Sequence, residues 1–108
     1  MIEAGRVRVP VADVERALRF YIERLGVKLV GSGEAVARID LGGGFQVDLV
    51  QGSGHVTLGL QLRGDFEEAV GTYENRGLVF ARGSDANGIY AECKDLDGHS
   101  LRFEPATI

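Results

Sequence analysis

The sequence predicts an α+β fold built from two tandem βαβββ modules. Two amphipathic helical segments, 13–26 and 65–77, are similar to each other and have the same pattern of strand-like segments around them. One alternating segment precedes each helix and three shorter ones follow it, so the order strand, helix, strand, strand, strand occurs twice. We therefore expect one domain of 108 residues, with modules at about 1–52 and 53–108.

The two helices have apolar residues at three- and four-residue steps and similar residues at their ends. Asp13 and Asp65 can accept the free amide hydrogens of the first turn. Gly26 and Gly77 can adopt the left-handed conformation that ends a helix. The segments align after one deletion, which indicates a duplication. The aligned pairs are Asp13 and Asp65, Ala17 and Ala69, Tyr21 and Tyr73, Arg24 and Arg76, and Gly26 and Gly77.

Each module has four strand candidates, separated by turns rich in Gly, Asp and Asn. Those of the first module are Arg6–Val11, Val27–Val30, Val36–Leu41 and Phe45–Val50. Those of the second are His55–Leu62, Leu78–Ala81, Ile89–Lys94 and Ser100–Glu104. The predicted turns are Gly31-Ser32-Gly33, Gly42-Gly43-Gly44, Asp85-Ala86-Asn87-Gly88 and Asp97-Gly98.

Alternation along these strands predicts one apolar face under the helices and one polar face on the other side. The apolar set includes Val7, Val9, Val11, Phe45, Val47, Leu49, Val56, Leu58, Leu60, Leu62, Leu101 and Phe103. The polar set comprises Arg6, Arg8, Gln46, Asp48, His55, Thr57, Gln61, Tyr90, Glu92, Ser100 and Arg102. We expect His99, in the turn before the last strand, to meet solvent or a turn contact.

The composition argues against several classes of partner. Twelve Lys and Arg residues against 16 Asp and Glu residues give a net charge of −4, so nucleic acid and anionic membranes are poor partners. Hydrophobic residues make up 44% of the chain, an ordinary value for a globular domain. There is no charged-then-apolar leader and no long apolar span, so we expect a cytoplasmic protein. Cys93, the single cysteine, is expected to be a buried, inert thiol.

Two stretches have motifs typical of a known family. In "VRVPVADVERALRFYIERLGVKLV" the pairs V-x-D, R-A, F-Y and L-G follow one another, and "DLDGHSLRFEP" has D-x-D-G before its final strand. With the repeated module order, these motifs resemble the vicinal oxygen chelate superfamily, which includes glyoxalase I, extradiol dioxygenases, and fosfomycin- and bleomycin-resistance proteins. The resemblance covers nearly the whole chain. It implies a cup-shaped mixed sheet with helices on the outside, and a homodimer that completes the cup.

The resemblance also implies a divalent metal held by His or Glu on the first and last strands of each module. The corresponding positions here are Arg6, Asp48, His55 or Thr57, and Arg102. Arginine is always protonated and has no lone pair for a metal. Only Asp48 and His55 could act as ligands, which is too few for a typical site. We therefore predict no catalytic metal and no cofactor.

The favoured hypothesis is a small-molecule-binding protein that holds a polar or aromatic ligand in a dimeric cup. Its candidate ligand-binding residues are Arg6, Asp48, His55, Thr57, Tyr90, Glu92 and Arg102, and no residue is assigned a catalytic role. The arginines, helped by Arg8 or Arg38, could bind a ligand, or they could pair internally with carboxylates.

Two alternatives stay open from the sequence. One is a metal-dependent lyase or dioxygenase in which Asp48 and His55 are assisted by a residue such as Glu92 or Glu104 from the partner chain. The other is a scaffolding module whose cup is filled by side chains.

Overall fold

The two-module α+β fold expected from the sequence is confirmed. The computed structural model describes residues 1–106, and the chain divides into two compact units, Met1–His55 and Val56–Ile108. Each unit contains one four-stranded mixed sheet. None of the helices in the described range has the length and apolarity needed to span a membrane.

The first unit has the strand order β1-β4-β3-β2. β1 pairs with β4 in parallel, and the other two pairings are antiparallel. A π-helical turn, Tyr21–Leu25, continues the helix α1. The elements are β1 (Arg6–Val11), α1 (Val14–Phe20), β2 (Lys28–Gly33), β3 (Val36–Asp40) and β4 (Gln46–Gln51).

The second unit repeats this topology with the strand order β5-β8-β7-β6. β5 pairs with β8 in parallel, and the remaining pairings are antiparallel. The elements are β5 (Thr57–Leu62), α2 (Phe66–Glu74), β6 (Ala81–Asp85), β7 (Gly88–Lys94) and β8 (Ser100–Pro105).

The helix ends form as their sequences predict. The Asp13 carboxylate accepts a hydrogen bond from the Arg16 amide at 3.1 Å, and the Asp65 carboxylate accepts one from the Glu68 amide at 2.9 Å. Gly26 has a φ of 69°, a conformation that a side chain disfavours. A carboxylate thus satisfies an otherwise free amide at the start of each helix, and Gly26 ends the first helix in the left-handed conformation.

Each sheet has one largely buried face, although Val7, which was predicted to lie under the helices, is 37% exposed. The apolar residues predicted to face the helices include Val9, Val47, Leu49, Leu101 and Phe103, which are all at most 1% exposed. Cys93 is also buried, at 4% exposure, and burial raises the pKa of its thiol to about 11. The alternation rule therefore assigned most residues of the buried face correctly, with Val7 at the start of β1 as an exception.

Two strands begin and end later than the sequence suggested. β2 includes the Gly31-Ser32-Gly33 segment that was expected to form a turn, and the hairpin turn is made by Glu34 and Ala35 instead. The β2–β3 pairing shifts in register between Leu29 and Gly31, and after this shift the segment with the two glycines continues the edge strand. β6 spans Ala81–Asp85 and not Leu78–Ala81. Both are exposed edge strands, where burial does not mark the boundaries.

His99 was predicted to meet solvent or to make a contact within its turn. Exposure to solvent is wrong, whereas the contact within the turn is present. Its side chain is fully buried, and its Nδ1 accepts a hydrogen bond from the Val56 amide at 3.0 Å. The His99 amide donates to Asp95 Oδ1 at 2.9 Å. His99 thereby joins the turn before β8 to the segment that leads into β5, two elements that are distant in sequence but adjacent in the sheet.

Candidate functional site

The polar face of the first sheet, here called the first polar face, lies on the side opposite α1. Its residues are Arg6, Arg8, Lys28, Arg38, Asp40, Gln46 and Asp48. Strand register sets Arg8, Asp48 and Arg38 in one row across β1, β4 and β3. Paired residues of neighbouring strands point to the same side of a sheet, so this row brings one carboxylate between two guanidinium groups.

Asp48 is the centre of this row. Arg38 Nε donates to Asp48 Oδ1 at 2.7 Å, and Arg38 Nη2 donates to Oδ2 at 3.2 Å. Arg6 Nε lies 3.6 Å from Oδ2. The hydrogen bonds from Arg38 hold the pKa of the Asp48 carboxyl below its usual value, and the charges of Arg38, Arg6 and Arg8 lower it further. Asp48 is thus an ionised carboxylate with both oxygens engaged.

The polar face of the second sheet, here called the second polar face, has Arg102 at its centre. Its residues are Thr57, Gly59, Gln61, Ala81, Gly83, Asp85, Tyr90, Glu92, Lys94, Ser100, Arg102 and Glu104. Arg102 Nε donates to Glu104 Oε1 at 2.8 Å. Its Nη1 and Nη2 donate to the two Asp85 oxygens at 2.8 and 3.1 Å. The Arg102 side chain is only 18% exposed and is held on both edges of its guanidinium.

Tyr90 provides a flat surface for this guanidinium. The Arg102 Cζ lies 4.1 Å from the Tyr90 ring centroid, a cation–π distance. Gly83, opposite Tyr90 in the β6–β7 pairing, makes room for the ring, because a Cβ there would collide with the Tyr90 hydroxyl and Cζ. The result is a stack of β6 backbone, tyrosine ring and guanidinium.

A second network lies beside this stack. The Ser100 hydroxyl donates to Glu92 Oε1 at 3.1 Å, and Lys94 Nζ lies 3.3 Å from the same oxygen. Lys94 also donates to Ser100 Oγ. The carboxylate of Glu92 is therefore bound by its own sheet neighbours, as Asp48 is in the first unit.

The structure distinguishes the two candidates for the fifth strand. Thr57 is the first residue of β5 and pairs in register with Ser100, so it belongs to the second polar face. The sequence predicts that His55 begins the fifth strand, and this is wrong. His55 lies in the exposed loop before β5. Of the two candidates, Thr57 therefore lies on the second polar face and His55 lies outside the sheet.

The predicted site residues fall into two groups. Arg6 and Asp48 are together on the first polar face, while Thr57, Tyr90, Glu92 and Arg102 share the second. Asp85, which binds Arg102, was not among the predicted site residues, because its sequence is typical of a turn. Placement of β6 at Ala81–Asp85 would have revealed it, since alternate residues of that strand point to the polar side.

The residues present do not fit a metal site. Across residues 1–106, no cluster of three or more His, Cys, Asp and Glu side chains is arranged to hold an ion. The carboxylates closest to the expected ligand positions are engaged by Arg38 and Arg102. A cation would have to displace these guanidinium groups and would meet their charge, so the donor set disfavours a divalent metal.

A cleft elsewhere in the first unit has less chemical character. It measures about 510 Å³ and lies by the start of α1 and the β2–β3 hairpin. Its charged lining residues are Asp13 and Glu15, and Asp13 is already the cap of the helix. The polar faces, where charged and aromatic groups converge, are the stronger candidate site.

Comparison with known proteins gives matches by structure only. No family model matches the chain, and no curated protein matches it. The glyoxalase/bleomycin resistance protein from Catenulispora acidiphila superimposes with a TM-score of 0.76 and 25% identity, covering 95% of this chain and 97% of that one. A bleomycin-binding protein solved with bleomycin gives 0.79 and 20% identity, over 98% of this chain and all of the other.

The chain has the glyoxalase/bleomycin resistance/dioxygenase fold. Lactoylglutathione lyase from Agrobacterium tumefaciens has it as well, with a TM-score of 0.78 at 13% identity over 98% of this chain and 96% of that one. The superfamily resemblance found in the sequence is confirmed at the level of the fold. Because proteins with this fold include both a lyase and a bleomycin-binding protein, the fold alone does not assign a function, and the residues of the polar faces have to be considered.

Proposed function

We propose that this glyoxalase/bleomycin resistance-like protein binds a small polar or partly aromatic molecule at its polar faces, without a catalytic metal, as a homodimer. One observation supports this most strongly. Arginine occupies two of the positions at which the resemblance expects metal ligands, and the carboxylates near Arg6 and Arg102 are paired with guanidinium groups. These faces suit hydrogen bonding and stacking better than chelation.

The second polar face supports recognition of a flat ligand. Arg102 is fixed by Asp85 and Glu104 and stacks on Tyr90, so little side-chain entropy would be lost when a ligand ring packs against it. Hydroxyl and carboxylate groups at Ser100 and Glu92 lie next to this surface. An aromatic ring with polar substituents would use both features.

The bleomycin-binding protein provides a precedent of the same fold. It was solved in complex with bleomycin, so the fold is able to hold a large organic ligand. The metal-dependent alternative, with Asp48 and His55 as ligands, has less support, because both oxygens of Asp48 accept bonds from Arg38. Asp48 is more suited to positioning arginines than to binding a cation.

Calorimetry on chelator-treated protein tests the proposal. We expect at least one member of a panel of aromatic and polar compounds, in neutral, anionic and cationic forms, to bind as well after metal removal as before. Tyr90→Ala should weaken binding of those aromatic members that pack against Arg102 on the second polar face, whereas the exposed helix residue Arg19→Gln should leave it unchanged. Binding of no panel member, or stoichiometric Ni, Zn, Mn or Fe with lyase or ring-cleavage activity, would reject the proposal. Sedimentation equilibrium should give twice the chain mass.

A further inference from the structure

We infer that the first polar face recognises an anionic group of the ligand through Arg6 and Arg8, with the ligand's apolar part on the neighbouring row of the same sheet. This inference rests on the proposed function and specifies the chemical class of its ligand: a carboxylate or phosphate attached to a compact apolar body. It is based on a difference in ion pairing: Arg102 on the second polar face is fully paired with carboxylates, whereas Arg6 and Arg8 on the first polar face are not.

The first polar face has four cationic side chains, Arg6, Arg8, Lys28 and Arg38, against two carboxylates, Asp40 and Asp48, and Asp40 already accepts a hydrogen bond from the Gly42 amide. Arg38 takes both oxygens of Asp48 in a two-pronged pair, which leaves Arg6 at 3.6 Å from one of them. Arg8 forms no ion pair with any residue of the described chain, although it is beside Asp48 in register. Arg6 and Arg8 are both exposed. Donors in a positive environment are thus available to an anion.

The second polar face lacks this excess. Three nitrogens of Arg102 donate to Asp85 and Glu104, and the guanidinium also packs on Tyr90. Glu92 and Lys94 are paired as well. An anionic group would have to break these pairs, so it should prefer β1 of the first unit.

An apolar row lies next to the arginines on the same side of the first sheet. Pro10 follows Arg8 by two residues and pairs in register with Val50, which pairs with Val36 on β3. All three are partly exposed. Residues two apart on a strand are separated by about 7 Å, roughly the length of one or two fused rings. The row and the arginines therefore fit an anion whose charge is at one end.

Asp48 contributes to selectivity in this arrangement. It holds Arg38 in place and offsets part of the positive charge, so that the face has a net excess without being a broad cationic surface. Such a site should accept one anionic group and repel a second one that approaches Asp48. The carboxylate thus favours ligands with a single negative head.

The test compares three probes that share one apolar body: 2-naphthoate, 2-naphthyl phosphate and the neutral 2-naphthamide. Calorimetry on the full chain gives affinities, and amide shifts in ¹⁵N-labelled protein report where each probe binds. The variants are Arg6→Gln and Arg8→Gln, with Arg8→Lys to restore charge without the planar fork. Arg19→Gln, an exposed arginine of α1, is the matched control for the change in charge.

We expect at least one anionic probe to bind on the order of tenfold or more tightly than the amide, the ratio that one charge-assisted hydrogen bond gives. The preference should decline with added salt, fall in Arg6→Gln and Arg8→Gln, recover partly in Arg8→Lys and persist in Arg19→Gln. Amide shifts should concentrate on β1 and β4. Which anion binds more tightly identifies a carboxylate or a phosphate as the preferred head.

Equal affinity for charged and neutral probes would overturn the inference, as would a preference that survives both glutamine substitutions. Failure of all naphthyl probes while another panel compound binds would overturn it too, and would leave the proposed function intact. If no panel compound of any charge binds, both fall. Because Arg6 and Arg8 are exposed, their single variants should fold, and circular dichroism verifies this.

Discussion

Asp48 and Arg102 occupy matching places in the two units but have opposite charges. Asp48 on β4 pairs in register with Arg8 and Arg38, and Arg102 on β8 pairs with Gly59 and Glu92. The Arg38–Asp48 pair of the first unit corresponds to the Glu92–Arg102 pair of the second, so the strand positions are the same and the charges are reversed. For this reason, roles cannot be transferred from one unit to the other by position alone.

The ionisation of Asp48 should make stability depend on acidity. Its folded-state pKa is lowered, so the charged form stabilises the fold above about pH 4, the usual carboxyl range, and this contribution is lost as the pH falls through the lowered pKa. We expect Asp48→Asn to reduce the free energy of unfolding at neutral pH and to flatten its decline in acid. Urea denaturation between neutral pH and about pH 2 measures this. Glu15→Gln, on α1, is the control, and an acid profile identical to that of the unmodified protein would contradict the expectation.

Cys93 should react slowly in the native protein. Burial raises the pKa of its thiol to about 11, and the charges of Asp95 and Glu92 contribute in the same direction. Little thiolate, the reactive form, exists near pH 8. We expect iodoacetamide labelling, followed by mass spectrometry, to be slow in buffer and fast in urea. Rapid labelling of the folded protein would show that this thiol is accessible.

At the scale of elements, β6 makes room for Tyr90 of the second polar face, because Gly83 has no side chain. Gly83→Ala would place a Cβ against Tyr90, so the ring must move and its stack with Arg102 would be lost. We expect a loss of about 1 kcal/mol in stability, the size of a cation–π contact, and a changed near-ultraviolet dichroism of tyrosine. Gly31→Ala on β2 has no atom within 4 Å of the new Cβ and is the matched control. Equal effects of both variants would argue against the stack.

The turn before β8 depends on His99 in a similar way. His99→Ala would remove the acceptor of the Val56 amide and leave a cavity where the ring was fully buried. We expect stability to fall by about 2 kcal/mol or more, from the unsatisfied amide and the lost packing. The exposed His55→Ala should change it by about 0.5 kcal/mol or less. Thermal and urea unfolding measure both losses. Similar losses in the two variants would show that the His99 bond to the Val56 amide does not stabilise the turn.

At the scale of the whole molecule, stability should respond to organic ligands and not to divalent metals. A molecule that binds only the folded state raises the free energy of unfolding by RT ln(1 + L/Kd) at free ligand concentration L, so the unfolding temperature rises with ligand concentration. Because the described carboxylates nearest to the expected ligand positions are paired with arginine, we expect no shift in Tm with Zn, Ni or Mn, and none with chelator. A panel compound that binds should raise Tm. A metal-induced shift that disappears in Asp48→Asn would contradict this.

Much of the fold could be predicted from local sequence patterns. Asp13 and Asp65 begin their helices as expected, and two-residue alternation placed residues such as Val9 and Phe103 in the core. The bounds of the edge strands β2 and β6 could not be predicted, because their exposed, glycine-containing sequences lack alternation. Asp85 was missed as a consequence, and His99 looked like a turn residue although the fold buries it.

The sequence by itself determined the modules, the helix ends, the faces of the sheets and the unsuitability of arginine as a metal ligand. These follow from backbone propensity, residue periodicity and fixed charge, which act over a few neighbouring residues. Only the tertiary structure decided that Asp48 accepts Arg38, that Arg102 is held by Asp85 and Glu104, and that Arg8 has no ion-pair partner among residues 1–106. Ion pairing depends on strand register and distances of a few ångströms between residues far apart in the chain, and no local pattern encodes these.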